Sequence, residues 1–147
     1  VLVVEDEPAV LVVEDEPGVL VVEDEPGVAA LLAEVLAGAG YAPTTTDSAL
    51  GAVALARRLR PAVVLLDLGL PYRSGGALLG DLKADPATAA IPVLVVSALA
   101  DALPPARRAL TAGVLGKPFS PAALLAAVRA AARPGAPRPR VAGAGER

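Results

Sequence analysis

VLVVEDEPGVAALLAEVLAGAG, residues 19–40, decides the fold. Val19–Val22 is a short run of β-branched and aliphatic strand formers. Pro26 suits an early helical position, and Val28, Leu31, Leu32, Val35 and Leu36 follow at i, i+3, i+4, i+7 and i+8. Gly38 and Gly40 end that periodicity. The stretch therefore reads as a strand feeding a crossover helix over 28–38, the opening of a βαβ unit.

The alternation continues downstream. Tyr41–Thr46 is a weak strand, and Asp47 and Ser48 are placed to cap a helix over 48–59 with Leu50, Val53 and Leu55 as apolar positions. Pro61 breaks the chain before Ala62–Leu66, whose unbroken apolar run predicts a strand buried on both faces. A loop, DLGLPYRSG, leads to a helix over 75–84, in which Gly75 and Gly76 read as turn residues. Ile91–Val96 is a second buried strand, a helix over 99–112 is weakened by Pro104 and Pro105, and Val114–Gly116 is a very short fifth strand. Ser120 and Pro121 open a last helix with Leu124, Leu125, Val128 and Ala131 on its apolar face. Five strand–helix alternations predict an open, mostly parallel α/β sheet with helices on both faces, whose site lies at the carboxyl ends of the strands.

Upstream, the first segment is duplicated. VLVVEDEPA (1–9), VLVVEDEPG (10–18) and VLVVEDEPG (19–27) repeat with a nine-residue period that matches no usual solenoid. Only the third copy runs into the helix. Residues 1–18 are expected to be peripheral or disordered and without function, 19–133 to form the domain, and the Pro-, Gly- and Arg-rich 134–147 to be a flexible tail.

Composition narrows the chemistry. The 147 residues suit one domain, and a hydrophobic fraction of 54% against 20% charged excludes disorder along the whole chain. With no Cys and no His, disulfides, zinc–thiolate sites, thiol nucleophiles and imidazole catalysis are all excluded. The carboxylates that remain favour a hard, oxygen-bound cation such as Mg²⁺. Residues 1–27 carry nine of the 16 acids and no base, and the 13 bases elsewhere are scattered, so direct nucleic-acid binding is not expected. No apolar run is long enough to span a membrane, and no signal peptide opens the chain; a cytoplasmic location is the default expectation.

On the predicted frame, Glu23 and Asp24 follow the first strand, Asp67 follows the third, Ser97 ends the fourth and Lys117 follows the fifth. All five lie at carboxyl ends of strands. Crowded carboxylates repel unless they share a cation, and with one bound a carboxylate can attack a phosphoryl group while a lysine neutralises the transferring oxygens. Each residue also has a plainer role open to it: Asp67 in a turn, Glu23–Asp24 as helix N-terminal charge, Ser97 as a cap and Lys117 as a solvated loop charge. The constellation favours the site.

These residues sit in VLVVEDEP (19–26), VVLLDLGLP (63–71) with Gly75, LKADPATAAIPVLVVSA (82–98) and GKPF (116–119). In them the chain resembles a receiver domain of bacterial two-component response regulators over residues 19–133. The resemblance implies a flavodoxin-like, doubly wound five-stranded parallel sheet in order 2-1-3-4-5. It implies Asp67 as phosphoacceptor, with Glu23, Asp24, Asp67 and the Gly69 carbonyl holding Mg²⁺. Ser97 and Lys117 would contact the phosphoryl group, beside a cis Pro118. The implied partners are a histidine kinase or phosphotransfer protein and a downstream effector that the sequence does not identify. A signalling switch is then expected, not an enzyme beyond self-catalysed phosphotransfer and dephosphorylation. The alternative is a pseudo-receiver that binds partners without phosphorylation. An aspartate-nucleophile phosphatase would carry an acid two residues after Asp67, where Gly69 stands.

The chain departs from that pattern at three places. Val114 replaces the usual aromatic three positions before the lysine, and the run from Gly113 to Lys117 is about three residues short. Pro104–Pro105 interrupts the fourth helix, part of a surface through which the family commonly forms homodimers or meets partners. Two additional VLVVEDEP copies precede the domain.

Overall fold

The computed structural model describes residues 16–132. The expectations for the first two repeat copies, up to Asp15, and for the tail from Pro134 lie outside the described residues. Five strands, β1 (Gly18–Val22), β2 (Ala42–Thr46), β3 (Val63–Leu66), β4 (Val93–Ser97) and β5 (Gly113–Gly116), form one parallel sheet in the order β2-β1-β3-β4-β5. Five helices connect or follow them: α1 (Pro26–Gly38), α2 (Ala52–Leu59), α3 (Gly75–Ala84), α4 (Pro105–Arg108) and α5 (Pro121–Ala131). The fold is the doubly wound, flavodoxin-like one. No described helix is long and apolar enough to cross a membrane.

Alternation along the strands divides the core. Leu20, Val22, Val64, Leu66 and Val93 face Ala52 and Ala56 of α2 and Leu78, Leu79 and Leu82 of α3. Their neighbours Val19, Val21, Val63, Leu65 and Leu94 face Leu32 and Leu36 of α1 and Leu124 and Val128 of α5. Successive side chains of a strand point to opposite faces, so a strand covered on both sides must be apolar throughout. Each residue of β3 and β4 is buried accordingly. Gly40, at φ 96°, turns the chain out of α1. Ser120 Oγ accepts a hydrogen bond from the Ala123 N–H at 3.0 Å, with Pro121 as the first residue of α5.

Several boundaries differ from the sequence reading. β1 begins at Gly18, one residue into the segment assigned to the leading copies. α1 starts at Pro26 rather than at 28. α2 starts at Ala52 rather than at 48, and neither Asp47 nor Ser48 caps it. The Ser48 N–H bonds the Thr46 hydroxyl and the Leu50 N–H bonds the Ser48 hydroxyl, so short polar side chains hold residues 46–50 in turns. Leu50 falls before the helix and is 72% exposed, which corrects its assignment to the apolar face.

The helix expected over 99–112 is absent as such. A single 3-10 turn at Ala100–Ala102 and the four residues of α4 replace it. Leu103 and Pro104 are extended, at ψ 121° and 152°, because a residue preceding proline is pushed out of helical geometry. α4 buries no residue. It is held by polar bonds instead: Arg107 donates to the Gly76 carbonyl at 2.8 Å, and Arg108 to the Ala100 carbonyl at 3.2 Å.

Candidate functional site

The sheet itself sets the site. Glu23, Asp67 and Lys117 are each the first residue after a strand, and their backbone N–H groups continue the ladder. Glu23 donates to Thr46, Asp67 to Val22 and Lys117 to Ser97, at 3.0, 3.1 and 3.3 Å. Because the strands that deliver them are buried, Glu23 is 2%, Asp67 8% and Ser97 1% exposed. One carboxylate oxygen from each of Glu23, Asp24 and Asp67 lies within 4.8 Å of the others. All five side chains singled out from the sequence thus stand at the carboxyl edge of the sheet, and the three acids converge on one point.

Lys117 is the counter-ion. Its Nζ donates to Glu23 Oε1 at 2.7 Å and lies 3.8 Å from Asp67 Oδ2. The other Glu23 oxygen accepts the Glu25 N–H at 3.2 Å. Burial pushes the Glu23 carboxyl above the ordinary carboxylate range, and Asp67 beside it adds to the rise. The bonds from Lys117 and Glu25 oppose it. The Lys117–Pro118 peptide is cis.

Three carboxylates against one ammonium leave a deficit that a divalent cation balances, and the donor set is all oxygen. The residues therefore fit Mg²⁺ better than a softer metal. Gly69, exposed in the loop after Asp67, is at the same place: a Cβ there would lie 4.0 Å from Asp67 Oδ2. Ser97 accepts the Leu99 N–H at 3.0 Å, and a hydroxyl used as acceptor still has its proton to donate.

Two supporting roles went unread in the sequence. Gly75 is more than a turn residue. A Cβ there would fall 2.2 Å from the Asp67 carbonyl oxygen and 2.6 Å from Leu68 Cα, so α3 rests its first residue directly on the backbone of the central acid. Its position eight residues after Asp67, opening a helix, was the available signal. Lys83, in the last turn of α3, is half-buried and donates to the Ala89 and Ile91 carbonyls at 3.0 and 2.7 Å, tying α3 to the segment that leads into β4. Val114, where an aromatic was expected, packs on a small cluster of Leu68, Val95 and Leu103.

The sequence profile of the response regulator receiver domain matches residues 19–129. The chain is 39% identical over 123 residues to the probable transcriptional regulatory protein TcrX of Mycobacterium tuberculosis, covering 82% of this chain and 44% of that protein. It spans less than half the length of the mycobacterial regulators it matches. Among solved structures, a sensor protein from Polaromonas sp. JS666 is similar with a TM-score of 0.74 and 30% identity, covering 78% of this chain and 94% of that one. The receiver domain of the sensor histidine kinase PA1611 from Pseudomonas aeruginosa PAO1, solved with a magnesium ion coordinated in its active site cleft, is similar with a TM-score of 0.68. Its identity is 28%, over 78% of this chain and 96% of that one.

Proposed function

The chain belongs to the response regulator receiver domain family, and from that membership we propose that Asp67 accepts a phosphoryl group from a histidine kinase or phosphotransfer protein in the cytoplasm. The observation that carries the reading is the convergence of Glu23, Asp24 and Asp67 within 4.8 Å, with Lys117 against them.

In the transfer, a carboxylate oxygen of Asp67 attacks the phosphorus of a phosphohistidine. A P–O bond forms, the P–N bond breaks, and the imidazole leaves and takes up a proton, so that Asp67 becomes an acyl phosphate. Asp24, Asp67, Glu23 and the Gly69 carbonyl are the groups that would hold Mg²⁺, which when bound neutralises charge on the phosphoryl oxygens. Lys117 supplies the fixed positive charge, and Ser97 donates its hydroxyl proton to a phosphoryl oxygen. The product is a signalling state read by an effector.

The test is labelling by acetyl phosphate, with and without Mg²⁺. Wild type is expected to gain one phosphoryl group, and Asp67→Asn none. Failure of wild type to label under any Mg²⁺ concentration would leave a phosphorylation-independent binding module as the reading.

A further inference from the structure

Gly80 stands in the middle of α3, where glycine is a poor helix former. The missing side chain makes room for a neighbour. A Cβ on Gly80 would collide with Arg107 Nη1 and lie 3.3 Å from its Cζ, so the Arg107 guanidinium fills that place. One turn earlier on the same face, the Gly76 carbonyl accepts from the same Nη1 at 2.8 Å. Arg107 thus lies in a slot made by two glycines of α3. Asp81 borders it: two bonds from Arg73 hold the Asp81 carboxyl below the ordinary carboxylate range, and the Arg107 charge adds to the lowering.

This slot is what joins α4 to the layers below. α4 buries no residue and lies against α3. The N–H groups of Arg107, Arg108, Ala109, Leu110 and Thr111 bond to carbonyls within 104–108. Arg108 reaches Ala100, inside the same β4–β5 connection, whereas the Arg107 bond spans 31 residues and crosses to another element. An element held this way opens when its tie is lost. The first turn of α3 also rests on the candidate site. A Cβ on Gly75 would overlap the Asp67 carbonyl, so the two backbones touch without slack, and Gly76 is the next residue. A phosphoryl group on Asp67 adds bulk and negative charge at that contact. A shift of the Asp67 backbone passes to the first turn of α3 and lengthens a bond already near its best distance. We propose that Arg107, seated between Gly76 and Gly80, is a latch that holds α4 on α3 while Asp67 is free and releases it when Asp67 is phosphorylated. The coupling rests on Asp67 as phosphoacceptor; the seat of Arg107 does not.

Hydrogen exchange of the full chain, read by mass spectrometry before and after acetyl phosphate with Mg²⁺, tests this in wild type, Gly80→Ala and Arg107→Ala. Intact mass reports labelling in each sample. Without label, exchange over 107–111 is expected to rise roughly tenfold or more in both variants while β4 stays protected. Gly80→Ala is the sharper variant, since alanine favours α3 and acts on α4 by evicting Arg107. Labelled wild type is expected to show the same rise, and the labelled variants no further one, because their latch is already open. Equal exchange over 107–111 in unlabelled wild type and variants overturns the proposal. So does labelling that leaves wild type unchanged there or adds as much in the variants, and so does a loss of protection that spreads to β4 in both variants. Wild type that takes no label sinks the phosphoacceptor reading and the coupling with it, and the unlabelled variants then judge the seat of Arg107 by themselves.

Discussion

Lys117 and Glu23 show what one residue costs the site in structural terms. A carboxylate 2% exposed is tolerable because an ammonium meets it at 2.7 Å. Lys117→Met removes that partner and leaves the charge buried, an expected loss of about 3 kcal/mol in urea unfolding near pH 7. The sign of the pH dependence follows from Glu23, whose carboxyl is already raised by burial and rises further without the ammonium. A raised carboxyl means that the folded state holds its proton to higher pH than the unfolded state. The variant is therefore closest to wild type in acid, below the unfolded carboxyl range. It loses ground as pH rises from there through the folded value. Urea midpoints at pH 5 and pH 7.5 check this, and adding Glu23→Gln to the variant is expected to restore much of the loss at pH 7.5.

At the scale of elements, caps and prolines decide where structure begins and stops. Ser120→Ala removes the Ser120 Oγ bond to the Ala123 N–H and is expected to cost about 1 kcal/mol, read as a shift in the urea midpoint without a change in slope. That cap was legible in the sequence because Ser-Pro precedes a periodic face, and β1, β3 and β4 were legible as unbroken aliphatic runs, whereas β2 (APTTT) and β5 (GVLG) could be read only from the strand–helix alternation around them. The carboxyl-edge placement of Glu23, Asp67, Ser97 and Lys117 was legible for the same reason, since a strand end fixes its next residue. What the sequence hid depends on contacts at a distance. Asp47 and Ser48 look like a cap, but the Thr46 and Ser48 hydroxyls close local turns and delay α2 to Ala52. Pro104 and Pro105 weaken a helix on paper, yet only tertiary bonds from Arg107 and Arg108 show how its four-residue remnant is retained. The seat of Gly75 against the Asp67 backbone is likewise a packing fact: its spacing from Asp67 marks the position, and only the contact shows why no side chain fits there.

For the molecule as a whole, one sheet separates two apolar layers that share no side chain. Leu79 belongs to the α2–α3 side and Leu36 to the α1–α5 side, and both are fully buried. Leu79→Ala and Leu36→Ala are each expected to lower stability by about 2–5 kcal/mol. In the double variant the losses should add to within roughly 0.5 kcal/mol while unfolding remains a single transition, because the sheet couples the layers but no cavity is shared. Chemical denaturation of the four proteins measures it. The register of β1 has a consequence for synthesis. Val22 is paired on one side with Thr46 and on the other with Leu66, both later in the chain. The centre of the sheet therefore leaves the ribosome before either flank. At ordinary elongation rates roughly 2–9 s pass before Leu66 emerges. Throughout that interval three identical tetrapeptides are nascent candidates for one slot, and the direct junction of the third with α1 settles the choice.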